Sequence, residues 1–280
     1  MQCLSSLTKL HEQPPFSLLV IDNGSTDGSV AAIRSQFSDL AILQTGENLG
    51  YAGGNNAGLR WALEKPYEWI LLLNNDTTVA PDLLEQLERA IQKNPSAKIL
   101  GTIGRLWDPS VGEYMATDHQ KVDMVCGSTF LIHRTVPETI GFLDERFFLM
   151  WEEADYCARA KRAGYEIVMI PEAKVHHEGS ASFTGGKPHL QYFWWRNRLL
   201  WIARNCSWKE KRKLYRHVIL PEMVKWARHS LLKNLQILFS SDSKRIEKAR
   251  RYRAGLRGIL DYFLGRFGNC PIAYTRRHRV

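Results

Sequence analysis

Several common signatures are missing from this chain of 280 residues. No stretch approaches the roughly 18 to 20 consecutive apolar residues that span a bilayer, which excludes a membrane-spanning helix. The opening Met-Gln-Cys-Leu-Ser-Ser-Leu has no basic n-region and no long apolar core, so no secretory signal is expected. The five cysteines, Cys3, Cys126, Cys157, Cys206 and Cys270, are scattered without CxxC spacing. That excludes a zinc site or disulfide framework on sequence grounds and points to a reducing cytoplasm. The glycines form neither GxGxxG nor a GK[ST] ending, which disfavours a dinucleotide fold or a P-loop. Acidic residues are scarce at one end: from Arg204 onward 5 Asp and Glu face 20 Lys and Arg, whereas the remainder holds 24 acidic and 18 basic residues. The net charge of +9 therefore combines an acidic body with a strongly basic tail. The tail's partner should be anionic: phospholipid headgroups, a phosphorylated lipid or nucleic acid.

What is present reads as α/β. With 44% hydrophobic residues the chain can bury a full core, with room for a second smaller unit. The organising stretch is Trp69-Ile70-Leu71-Leu72-Leu73, a short buried strand that stops at Asn74-Asn75-Asp76. Ligands gather at the carboxyl ends of strands in open α/β sheets. Asn and Asp there could give oxygen ligands to Mg2+ or Mn2+, or could simply make a turn. Phe16 to Ile21 is a second strand, running through Asp22-Asn23-Gly24-Ser25 into a helix over Val30 to Phe37, the start of a βαβ unit. Ala41 to Leu43 is a third. Asn48 to Gly58 then reads as a glycine-rich loop, with a helix following through Leu63.

Further on, Pro81 to Lys93 is an amphipathic helix, and Lys98 to Ile103, Val125 to Ile132 and Tyr165 to Ile170 are strands. The helix from Trp151 to about Gly164 opens on Glu152, Glu153 and Asp155 and closes on Arg159, Lys161 and Arg162. Those charges suit the helix dipole, and one of the carboxylates could also serve as a general base. Of the adjacent His176 and His177 at most one should be a ligand, since neighbours point to different sides. From Gln191 the pattern turns aromatic, basic and helical to about Phe267. This region is a helical appendage, an interfacial surface on an anionic membrane, or both.

Four stretches together identify a family. Val20 to Ser29, Glu47 to Gly58, Leu72 to Thr77 and the run from Gly141 through Trp151-Glu152-Glu153-Ala154-Asp155 to Gly164 resemble the inverting glycosyltransferases of family 2. The similarity is greatest to the rhamnosyltransferase-like branch. It covers roughly residues 1–200, leaving 201–280 as a basic helical region. The resemblance implies a GT-A fold, a Rossmann-like and mostly parallel sheet flanked by helices, binding a nucleotide-diphosphate sugar with a divalent metal (Mg2+ or Mn2+). It implies that Asp22 contacts the nucleoside, that Asn48, Gly53, Asn55 and Asn74 line the donor site, and that Asp76 and His177 hold the metal and diphosphate. Glu153 occupies the position of the catalytic base, with Glu152 beside it among the substrate-binding residues. Arg196 and Asn197 match a pair expected to meet the diphosphate. The implied acceptor is a lipid-linked or polysaccharide glycan, presented at the inner face of the plasma membrane, where the chain would be peripheral. No nucleic-acid partner is expected, since the tail carries no reading motif. Members usually open with a strand ahead of the helix that Cys3 to Leu7 resembles. Its absence here admits a second reading, a non-catalytic homologue that binds a membrane or a partner.

Overall fold

The computed structural model describes residues 1–10, 15–177, 187–237 and 242–271. Two compact units divide the chain: residues 1–106, 115–145 and 152–181, and residues 107–114, 146–151 and 182–280. The second unit thus begins ahead of the boundary expected near residue 200 and recruits two earlier segments.

In chain order the first elements are α1 (Gln2–Leu7), β1 (Leu19–Asp22), α2 (Ser29–Gln36), β2 (Ala41–Gln44), α3 (Gly50–Leu63), β3 (Trp69–Leu73) and β4 (Thr77–Val79). Then come α4 (Leu83–Lys93), β5 (Ala97–Gly101), β6 (Gly104–Asp108), β7 (Glu113–Ala116), β8 (Met124–Val125) and β9 (Thr129–His133). They are followed by α5 (Thr135–Ile140), α6 (Glu152–Arg162), β10 (Glu166–Met169) and β11 (Val175–His177). The main sheet has the order β10-β5-β9-β3. Strand β10 runs parallel to β5, whereas β9 is antiparallel to both its neighbours, so this sheet is mixed rather than mostly parallel. Strands β1 and β2 form a separate parallel pair, and β4 and β11 an antiparallel one. Hydrophobic periodicity marks strands but not their direction, which is why the sheet's sense was not legible.

The core lies between the sheets and their helices. In α4, Leu83, Leu87 and Ala90 are buried at the helical spacing i, i+4, i+7. They pack in one cluster with Leu100, Leu131 and Val168 of the sheet and with Leu4 and Leu7 of α1. Each fully buried leucine or valine among them contributes about 1.5–3 kcal/mol. The most deeply buried strand is β9, where Phe130 and Ile132 are sealed from solvent, while β3 alternates between buried and half-buried residues.

Two local expectations are corrected. The glycine-rich stretch is not a loop: α3 begins at Gly50. Its glycines serve helix packing, since a Cβ on Gly53 would stand 2.6 Å from the Leu49 Cβ, and one on Gly54 would stand 3.0 Å from the Asn23 amide. The strand expected over Val125 to Ile132 is two strands, β8 and β9, separated at Cys126-Gly127-Ser128.

The second unit is helical: α7 (Pro188–Asn205), α8 (Trp208–Leu214), a π-helical turn at Tyr215–Ile219, α9 (Leu220–Ile237) and α10 (Ser243–Phe263). A capping box starts α8, with the Ser207 N–H donating to Glu210 (2.7 Å) and the Glu210 N–H to the Ser207 hydroxyl (3.4 Å). The π turn ends two residues before Pro221, which has no N–H to continue the ladder. Helices α7 and α10 approach so closely that a Cβ on Gly258 would lie 2.2 Å from the Tyr192 carbonyl oxygen. No described helix is long and apolar enough to cross a membrane. All five cysteines are free, and Cys3, Cys157, Cys206 and Cys270 are buried.

Candidate active site

The loop after β1 is tied to the start of α3. Asp22 is buried and accepts the Ser25 N–H (3.2 Å) and the Gln44 amide (3.3 Å). Hydrogen bonding from Ser25, and secondarily from Gln44, holds its carboxyl below the usual range despite burial. The Asn23 side chain donates to the Gly50 carbonyl (2.8 Å) and accepts the Leu49 N–H (3.0 Å). Asn48 accepts the Gly50 N–H (2.9 Å), acting on the helix start itself. Gly24, at φ +77°, passes so close to Glu47 that a Cβ would meet its carbonyl carbon at 2.5 Å. Asn55 points its amide back at the Tyr51 carbonyl (2.9 Å), within the helix.

Strand β3 runs into Asn74, whose N–H donates to the Ser128 carbonyl (3.2 Å) and whose carbonyl accepts the Thr77 hydroxyl (2.6 Å). The antiparallel pairing of β4 with β11 places His177 opposite Thr77, and its Nε2 lies 3.0 Å from the Asp76 carboxylate. His176, one residue earlier, is exposed. The structure therefore brings Asp76 and His177 together from positions a hundred residues apart in sequence. No group of three or more His, Cys, Asp or Glu suited to a metal is found among the described residues. One carboxylate and one imidazole still fit Mg2+ or Mn2+, which keep several water and phosphate oxygens and take few protein ligands.

The start of α6 separates its three acids. Asp155 is fully buried and bound to Arg159 (2.9 Å), whose other donors reach the carbonyls of Ile140 and Phe142 (both 2.7 Å), so it serves the fold. Glu152 is buried. Glu153 is half-buried, and its Oε2 is shielded from water with no hydrogen-bond partner among the described residues. Burial pushes its carboxyl up, against the opposing pull of its own N–H, the Gly127 backbone and the Arg105 charge.

Gly127 proves to be the hub. Its carbonyl accepts the Tyr51 hydroxyl (2.6 Å), and a Cβ added to it would stand 2.5 Å from that hydroxyl. Burial, then the nearby Glu153 and Glu152 charges, hold the Tyr51 phenol well above its ordinary pKa. Sequence reading passed over Tyr51, Arg105 and Gly127. Only Gly127 left a signal, a glycine that with Ser128 and Thr129 interrupts the apolar run from Met124 to Ile132.

Arg196 and Asn197 are corrected. Both are fully buried in α7, and their donors are taken by main-chain carbonyls and by neighbouring side chains. Arg196 reaches Gly268 (2.6 Å), Phe147 (2.9 Å) and Arg146 (3.1 Å) and binds the Asn197 side chain (2.9 Å). Asn197 donates to Phe147, Leu149 and Met150 at 2.7–2.8 Å. They hold a segment in which Phe148, Met150 and Trp151 all have positive φ, of 63°, 70° and 75°. This is a brace, with no donor spare for a diphosphate.

Comparison with known proteins bears on the family and the fold. The chain is 27% identical over 257 residues to the N-acetylglucosaminyl-diphospho-decaprenol L-rhamnosyltransferase of Mycobacterium tuberculosis, covering 72% of this chain and 83% of that one. It is 23% identical to the dTDP-rhamnosyl transferase RfbF of Shigella flexneri, across 90% of each. Its fold matches a mannosyltransferase of Pyrobaculum calidifontis, solved with GDP-Man and Mn2+, at a TM-score of 0.58 and 14% identity, over 94% of this chain and 82% of that one. These are GT-A-type glycosyltransferase neighbours, and the α/β body with its C-terminal helices has their fold. Residues 1–157, more than half of the chain, match glycosyl transferase family 2, and the chain belongs to that family.

Proposed function

We propose that the protein transfers a sugar, with rhamnose favoured, from a nucleotide-diphosphate sugar to a lipid-linked glycan acceptor, inverting the anomeric centre. The observation that carries this reading is Glu153: a half-buried carboxyl at a helix start, raised by desolvation and with one oxygen unpartnered. A base tuned upward in this way is suited to taking a proton from a hydroxyl near neutral pH. The names of the rhamnosyltransferase relatives support the sugar and the class of acceptor.

In this mechanism Asp22 and the Asn23–Asn48 loop hold the nucleoside end of the donor. Asp76 and His177 would hold a divalent ion, whose charge would offset that growing on the diphosphate. Glu153 removes the acceptor proton as the oxygen attacks the anomeric carbon in line. Tyr51 and Gly127 fix the ground on which Glu153 rests. The basic C-terminal region would keep the protein peripheral on the inner, anionic face of the plasma membrane.

The test is a thermal-shift panel of dTDP-, UDP- and GDP-sugars with Mn2+ or Mg2+, followed by transfer assays with the stabilising donor. Stabilisation by ligand reports binding to the native state. A metal-dependent shift with one donor class is expected. If no donor stabilises the chain and none is consumed, the reading gives way to that of a binding protein.

A further inference from the structure

Helix α9 is amphipathic in an unusual direction, with large apolar side chains on its open face. Val224 (69% exposed), Leu231 (63%), Leu220 (51%) and Leu235 (50%) are separated by intervals of four, seven and four residues along the helix, which places them on one stripe. The opposite face is already occupied. Trp226 donates through its indole N–H to the Tyr252 carbonyl (3.0 Å), and Ser230 is buried. The exposed stripe is therefore not a core face in the wrong place.

Charge indicates what covers it. Arg216, Lys225 and Arg228 are exposed and flank the stripe, and with Leu220 and Val224 they line an open hollow of about 680 Å³. The one acid in the sequence of α9, Glu222, is turned away and held by Arg198 at 2.6 Å. An apolar stripe edged by cations and cleared of anions complements a surface that is anionic outside and apolar within. A protein partner would have to supply both features in the same order. A phospholipid bilayer supplies them by construction.

We infer that α9 lies flat in the headgroup layer of an anionic bilayer, with Leu220, Val224, Leu231 and Leu235 inserted and Arg216, Lys225 and Arg228 on lipid phosphates. This rests on the membrane-peripheral part of the proposed function and goes beyond it. Tail charge alone would give attachment that salt abolishes, whereas an inserted stripe leaves a part that salt does not remove.

The full-length chain is to be co-sedimented with phosphatidylglycerol vesicles and with phosphatidylcholine vesicles, at low and high salt. Binding to phosphatidylglycerol that persists in part at high salt is expected for the parent. The paired variant Val224→Glu/Leu231→Glu should bind about tenfold more weakly and lose the salt-resistant part. A milder pair, Val224→Ala/Leu231→Ala, should lose the same part to a smaller degree, and both pairs should keep the parent's thermal melt. Vesicle binding unchanged in both variants, or binding by the parent that high salt removes entirely, would overturn the insertion. A parent dimer broken by either pair, with vesicle binding intact, would overturn it in favour of a second copy on this face. A donor-induced thermal shift retained by the variants separates any such failure from a failure of the glycosyltransferase reading.

Discussion

Glu153 is a carboxylic acid whose surroundings favour its proton, and this has two consequences of opposite sign. For turnover, Glu153→Gln should lower transfer on the order of 100- to 10,000-fold while leaving donor binding nearly unchanged. Parent activity should fall, as pH drops, through a pKa above the ordinary carboxylate value. For stability, a carboxyl raised in the folded state binds its proton more tightly folded than unfolded. That advantage is complete below the unfolded pKa and disappears as pH rises through the folded one. At neutral pH Glu153→Gln should therefore melt above the parent, and the gap should close in acid. Melting curves across pH check this, and a Gln variant that melts lower at neutral pH would count against a strained carboxylate. Glu152→Gln should harm turnover less. The metal pair makes a separate prediction. Asp76→Asn should weaken nucleotide binding in the presence of Mn2+ and spare the fold, and titration of the nucleotide with and without EDTA measures it.

Helix α7 shows how a motif can be read correctly in position and wrongly in role. Arg196-Asn197 was visible as a pair in the sequence. Its burial against the Arg146–Met150 carbonyls was not, because those partners lie some fifty residues away and carry no side-chain signature. Asn197→Ala removes three hydrogen bonds from a segment with three positive-φ residues, Phe148, Met150 and Trp151. A loss of about 2–4 kcal/mol is expected, read from denaturant unfolding. Gly258→Ala should cost about 1–3 kcal/mol by the same measurement, since its methyl would press on the Tyr192 carbonyl. Elements whose signal is local were legible: α4 from its apolar spacing, β3 from its run of five, and α6 from its charge gradient. The α3 start was misread because Gly50, Gly53, Gly54 and Gly58 look like a loop until β1 and Asn23 are seen packed against them. The same limit applied to the site. Asp76 and His177 could be named singly, whereas the Tyr51–Gly127–Glu153 contact depends on the β8–β9 turn, which nothing in the local pattern announces.

At the scale of the whole chain, the basic region and the helical unit are not the same object. Helix α10 packs on α7, with the Tyr192 hydroxyl donating to Asp261 at 3.0 Å, so the region after Asn205 completes a core rather than trailing from one. Ending the chain at Asn205 would uncover the aromatic side of α7, and such a shortened protein is expected to be insoluble; its recovery in the supernatant would overturn this. The cysteines offer a gentler probe. Burial raises the Cys206 thiol to about 12 and the Cys270 thiol to about 11, and holds Cys157 higher still. In the native protein these sulfurs are protonated and screened, and they become reactive only when the surrounding structure opens. Cys157 belongs to the first unit, and Cys206 and Cys270 to the second. The chain thus carries its own pair of stopwatches: alkylation followed peptide by peptide times the breathing of each unit separately, with no cysteine added to the sequence.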